Sequence, residues 1–179
     1  MLTIKLPSKE YYDNDKNEFI LTKQLTIQLE HSLVSISKWE SKWKVAFLSK
    51  EEHSVEQTKD YIKSMIVTPN IEDDVVDRFD SDDINKIKEY IDDSMTAAKL
   101  PIDRKGGSRE VITSDVIYYW MVALNIPFDC QKWHLNRLLT LINICNIKNA
   151  PPKKMGKKEI LSRNASINAA RKEALQSKG

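Results

Sequence analysis

The 179-residue chain is 30% charged, yet its formal net charge is only +2; it has 41% hydrophobic residues and just four glycines. That balance predicts a mainly helical domain long enough to bury a core, and argues against a loop-rich or β-sandwich protein. No apolar run is long enough to span a bilayer, and no charged start leads into a short apolar segment of the secretory kind, so a cytoplasmic protein with no membrane partner is expected.

Residues 2–6, LTIKL, alternate as a short strand that Pro7 stops. Residues 7–18 are polar and turn-rich, with Tyr11 and Tyr12 suggesting a contact. Residues 19–30 alternate again, with Leu25, Ile27 and Leu29 on one face, and can pair with 2–6 as an antiparallel ribbon. A two-stranded ribbon is marginal alone and needs helices to cover its apolar side.

Leu33, Ile36, Trp39, Trp43 and Phe47 mark a first amphipathic helix. Its SKWESKW stretch sets Trp39 and Trp43 one turn apart, either packed on the core or, where exposed, part of a partner surface. Ser54-Val55-Glu56-Gln57 fits a capping box, and a second helix follows through Ile62, Met65 and Ile66 to Thr68-Pro69. Two short helices are expected over 72–79 and 82–92, the second with Ile84, Ile87 and Ile91 on one face. Residues 95–110, with Gly106-Gly107 among Arg104, Lys105 and Arg109, read as a surface loop.

The stretch 111–149 is the most apolar and is expected to form the core hairpin. A first helix, capped by Thr113 or Ser114, carries Val111, Val116, Trp120 and Leu124 on a stripe joined by Tyr119 and Ala123, and ends at Asn125-Ile126-Pro127. A second starts near Asp129, with Trp133, Arg137, Leu138, Leu141, Ile142 and Cys145 recurring at spacings of three and four. Pro151-Pro152 then separates a domain of 1–149 from a tail of 150–179, whose residues 159–177 form a last helix with a weak apolar stripe of Ile160, Ile167, Ala170 and Ala174.

Charge is segregated along the chain. Residues 70–93 hold ten acids against three bases, a net −7, and residues 150–179 hold eight bases against two acids, a net +6. The two segments can meet within a chain, between copies or on separate partners. The basic set Lys153, Lys154, Lys157, Lys158, Arg163, Arg171 and Lys172 is therefore expected on an interaction surface. Phosphate contacts by these bases would suit nucleic acid, but the acidic segment opposes a DNA surface, and an acidic protein face fits as well.

Catalytic and metal chemistry find little support. Cys130 and His134 share a helix face at a spacing of four, but no second ligand pair completes a zinc site and no third group completes a nucleophilic constellation. Cys130 and Cys145 lie on one expected helix, too far apart to bridge within it, which suits a reducing compartment. The Asp-rich run lacks the glycine and final glutamate of a calcium loop, and neither phosphate-loop nor dinucleotide fingerprints occur. The residues thus predict no enzyme, no metal and no cofactor.

Three stretches, SKWESKW, YYWMVALNIPFDCQKWHLNRLLTLINICNIKN and PPKKMGKKEILSRNASINAARK, resemble tail assembly chaperones of long-tailed bacteriophages, across 19–68 and 108–175. The resemblance implies a mainly helical, non-enzymatic protein of the host cell cytoplasm that holds the tape-measure protein, or another tail protein, soluble until tube subunits polymerise around it. It carries no catalytic residues. Two other roles fit the same residues: a structural virion subunit such as a connector or tail-completion protein, and a small nucleic-acid-binding regulator.

Overall fold

A computed structural model describes residues 1–8, 10–13, 17–49, 51–72, 74–98, 111–151 and 156–175. The chain forms two units, Met1–Ile147 and Lys148–Gly179. The fold is mainly helical with an N-terminal antiparallel ribbon. The strands are β1 (Leu2–Leu6), β2 (Glu10–Asp13), β3 (Glu18–Leu21) and β4 (Leu25–Leu29). The helices are α1 (Leu33–Trp43), α2 (Val55–Met65), α3 (Ser81–Asp92), α4 (Ser114–Ala123), α5 (Leu135–Asn149) and α6 (Lys157–Leu175), with 3-10 turns at Val75–Arg78 and Phe128–Lys132.

The strand expected over 19–30 divides into β3 and β4, and part of the polar stretch before it forms β2. β1 pairs with β4 from Leu2↔Leu29 to Leu6↔Leu25, and β2 pairs with β3 from Glu10↔Leu21 to Asp13↔Glu18. Three residues separate the ladders on each arm, so one register runs through both. The interruption falls at Pro7, which has no N–H to donate. There the Arg78 guanidinium donates to the carbonyls of Lys23 at 3.0 Å and Pro7 at 3.5 Å, one from each arm. Tying the arms this way satisfies acceptors that the missing rungs leave open.

The apolar face of the ribbon, Ile4, Leu6, Ile27 and Leu29, is buried. The same core cluster holds Leu33, Ile36 and Trp39 of α1, Ile62 and Met65 of α2, Ile87 of α3, Ile117 and Met121 of α4, and Leu135, Leu138 and Ile142 of α5. Ser32 and Ser54 each close a capping box, on α1 and α2. Asp80 caps α3, its carboxylate accepting from the Asp83 amide at 2.8 Å. The acids of this segment thus serve helix starts, where the dipole favours them.

Two expectations for the core hairpin change. Ile117 and Met121 are the buried apolar side chains of α4, whereas Val116, Trp120 and Leu124 are half-buried and Val111, Tyr119 and Ala123 exposed. The helix is apolar nearly all round, so periodicity does not choose its inner face. It ends in a Schellman motif: Asn125 takes the left-handed conformation at φ 53, and Ile126 N–H donates to Met121 O at 2.8 Å. The second helix is also divided. Cys130 lies in the 3-10 turn and Cys145 in α5, with Trp133 and His134 at the break, so Cys130 and His134 share no helix face.

A short extended segment joins these pieces. Val67 N–H donates to Gln28 O and Glu30 N–H to Met65 O, both at 2.9 Å, which lays the exit of α2 along β4. Leu135 N–H donates to His31 O at 2.7 Å, and Ser32 bridges His134. The His31 ring pairs through Nδ1 with the Tyr61 hydroxyl and lies 4.9 Å from the His134 ring. His134 Nε2 donates to Tyr90 O at 2.8 Å, while its Nδ1 accepts from Asn136 N–H at 3.3 Å. Burial, with His134 alongside, pushes the His31 pKa down to about 3.

Leu138 is fully enclosed. Leu138→Ala should lower the free energy of unfolding by about 2–5 kcal/mol, read from urea melts. Acid should act on His31 in a definite direction. Between its folded value near 3 and the ordinary 6.5, the unfolded chain binds a proton that the folded chain does not. That contribution is complete above 6.5 and is lost as pH falls toward 3; at pH 5 the loss is about 2 kcal/mol. Urea melts at pH 7 and pH 5 should therefore differ more for the wild type than for His31→Gln, and equal differences would refute this assignment.

Candidate functional site

The side chains best suited to chemistry are engaged in the fold. All three histidines belong to one packed series of rings: His53 stacks on Phe47 at 5.2 Å, Phe47 meets Tyr61 at 4.0 Å, and His134 lies between His31 and Tyr90 at 4.9 Å from each. Each histidine has a hydrogen-bond partner, His53 through Nε2 to Phe47 O at 3.0 Å. Cys130 is buried, and burial raises its thiol pKa. Among the described residues no three metal-ligating side chains converge.

A cleft of about 340 Å³ between α1 and the start of α4 contains the Glu40 carboxylate. Its Oε1 accepts from Phe47 N–H at 2.9 Å, and its Oε2 from the Ser114 amide at 2.8 Å and hydroxyl at 2.5 Å. Glu40 is therefore a clamp joining the loop after α1 to the first turn of α4. Such engagement leaves the carboxylate poorly placed to serve a substrate.

The tryptophans expected on a partner surface have different surroundings. Trp39 is only 1% exposed, packs against Phe47, and donates from Nε1 to Gln57 O at 2.8 Å. It belongs to the core, because α2 and the loop around Phe47 and His53 close over that face of α1. Trp43 is half-buried and donates to Asp60 Oδ2 at 2.9 Å. Of the basic set, Lys157, Lys158, Arg163, Arg171 and Lys172 lie on α6, where every residue is exposed. Lys153 and Lys154 lie outside the described residues, as does most of the basic loop around Gly106-Gly107.

A different surface emerges at α4. Its outer side carries Tyr119 and Val122, three residues apart and thus neighbours on the helix. They are 68% and 59% exposed, with Val111 at 59% before the helix and Phe128 at 55% after it. The Phe128 ring lies 6.4 Å from Tyr118, which keeps the following 3-10 turn beside the helix. Asp115 in the first turn of the helix and Asp129 in the 3-10 turn are exposed as well. Contiguous apolar surface rimmed by charge is the usual signature of a protein-binding face. Sequence periodicity missed it because it placed Tyr119 in the core stripe; the signal available was the excess of apolar residues in 116–124 over what one buried face can use.

A second apolar surface lies on the β2–β3 arm. Tyr12 and Phe19 are cross-strand partners with rings edge to face at 5.0 Å, and both are exposed together with Leu21. Tyr12 thus makes a contact of the kind its sequence position suggested, within the arm. Among the described residues no helix is long and apolar enough to cross a membrane. No protein-family model, curated protein or solved structure matches the chain.

Proposed function

We propose that this protein is a phage tail assembly chaperone, a non-catalytic holding protein that binds the tape-measure protein and keeps it soluble during tail assembly. The observation that carries the reading is the apolar strip of α4, Tyr119 and Val122 with Val111 and Phe128, left outside a core that is already complete. A long helical client exposes apolar stripes of its own before tube subunits surround it. Docking one amphipathic helix along another buries both stripes and suppresses client self-association. The sequence resemblance to tail assembly chaperones supplies the client's identity. Holding of this sort needs no nucleotide, because the growing tube displaces the chaperone by competing for the same client surface.

Co-expression with the tape-measure protein, followed by pull-down from the soluble fraction, tests the reading. A soluble complex with a client that is insoluble alone is the expected result. Tyr119→Asp combined with Val122→Asp should reduce client recovery at least tenfold, while the urea midpoint changes little, since both side chains lie at the surface. Absence of a complex, together with this chain in mature particles, would replace the reading with that of a virion subunit. Binding to DNA that weakens steeply with salt would favour the nucleic-acid regulator instead.

A further inference from the structure

We infer that the β2–β3 arm is a dimerisation element: its apolar face and the groove beside it receive the same parts of a second copy across a two-fold axis. The inference uses no part of the α4 strip and requires no client.

The apolar face of the arm continues the face that the core covers. Side chains alternate along a strand, and one register runs through both ladders. In that register Tyr12, Phe19 and Leu21 fall on the same face as Leu6, Leu25 and Ile27. Leu21 and Leu25, four residues apart, accordingly line one groove of about 480 Å³, whose other wall holds Ile71 and Val75. Leu6 and Ile27 are buried, whereas Phe19 and Leu21 are each 70% exposed and Tyr12 is exposed beside them. A two-stranded ribbon is marginal without cover on its apolar side, so the arm gains from a surface that its own ladder does not supply.

The charges of the groove are self-complementary. Lys23 lines it from the ribbon, and Glu72 and Asp74 line it from the segment that enters the 3-10 turn. Neighbouring charges are engaged: the Arg78 guanidinium donates to the carbonyls of Lys23 and Pro7, Asp77 pairs with Lys59 at 2.6 Å, and Asp80 caps α3. Asp74 stands at the cap position of the 3-10 turn and makes no capping bond. Among the described residues Lys23, Glu72 and Asp74 take part in no ion pair. In a two-fold contact, residue i of one copy meets residue j of the other and j meets i. Lys23 of each copy therefore meets Glu72 and Asp74 of the other, while Phe19 and Leu21 of each cover the apolar lining of the other's groove. A partner of uniform charge would match one wall and oppose the other; a second copy matches both.

The test is sedimentation velocity on the full-length protein over a concentration series at low and high salt. The wild type should form dimers that weaken with salt. Three variants, Phe19→Ser with Leu21→Ser, Lys23→Glu alone, and Glu72→Lys with Asp74→Lys, should each dimerise about tenfold more weakly or worse. Their urea midpoints should change little, since these side chains lie at the surface. Mixing the Lys23→Glu chain with the Glu72→Lys, Asp74→Lys chain should restore dimers, because each reversed wall then meets its reversed counterpart. One chain carrying all three reversals should dimerise again for the same reason. A wild type that is monomeric throughout, variants that dimerise like wild type, or a mixture that fails to recover would each overturn the inference. So would dimers lost on Tyr119→Asp with Val122→Asp and kept on Phe19→Ser with Leu21→Ser, a result that would assign the contact to the α4 strip.

Discussion

The structure depends on satisfying the backbone of one extended segment, residues 28–32, as it passes through the interior. A buried peptide group without a partner costs more than an ordinary hydrogen bond contributes. This segment lies between two helices and beside a strand, and each neighbour completes it: β1 along one edge of β4, the exit of α2 along the other, and the first residue of α5 at the His31 carbonyl. Those bonds draw into contact elements that are a hundred residues apart in sequence. The rings of His31, Tyr61 and His134 then fill the space around the joint. Histidine suits that position because its neutral ring can both donate and accept.

The parts of the fold legible in the sequence are those decided locally. Ser54 and Gln57 announce a helix start because the capping box is a four-residue event. Asn125-Ile126-Pro127 announces a stop because the left-handed residue and the following proline act on the nearest turn. The alternation of Leu25, Ile27 and Leu29 shows a strand with one buried face. Decisions made at long range are not visible in this way. Which side of α4 turns inward depends on the shape of the surface that α1 presents, and Val116 and Ile117 are equally apolar. The break at Trp133-His134 is likewise set by the Tyr90 and Ile91 carbonyls of α3, which receive His134 and Asn136.

The candidate site shows the same division. Charge segregation is a property of the sequence, and α6 displays five of the basic residues that segregation singled out. The apolar strip is a remainder, the surface of α4 left after the core has taken what it needs, and it becomes visible only once the core is known. Trp39 illustrates the opposite case. Tryptophan is common in binding surfaces, but its large ring and single N–H donor equally suit a buried position with one carbonyl within reach, and Gln57 provides that carbonyl.

The shared register of the two ladders makes chain length part of the architecture. Side chains alternate between the faces of a strand, so a residue inserted or lost on only one side of the interruption would shift one arm against the other. Tyr12 would no longer oppose Phe19. Equal changes on the two sides would leave the pairing intact. The arm can therefore be lengthened or shortened by evolution or design only in matched steps, with Arg78 marking the place from which both sides must be counted.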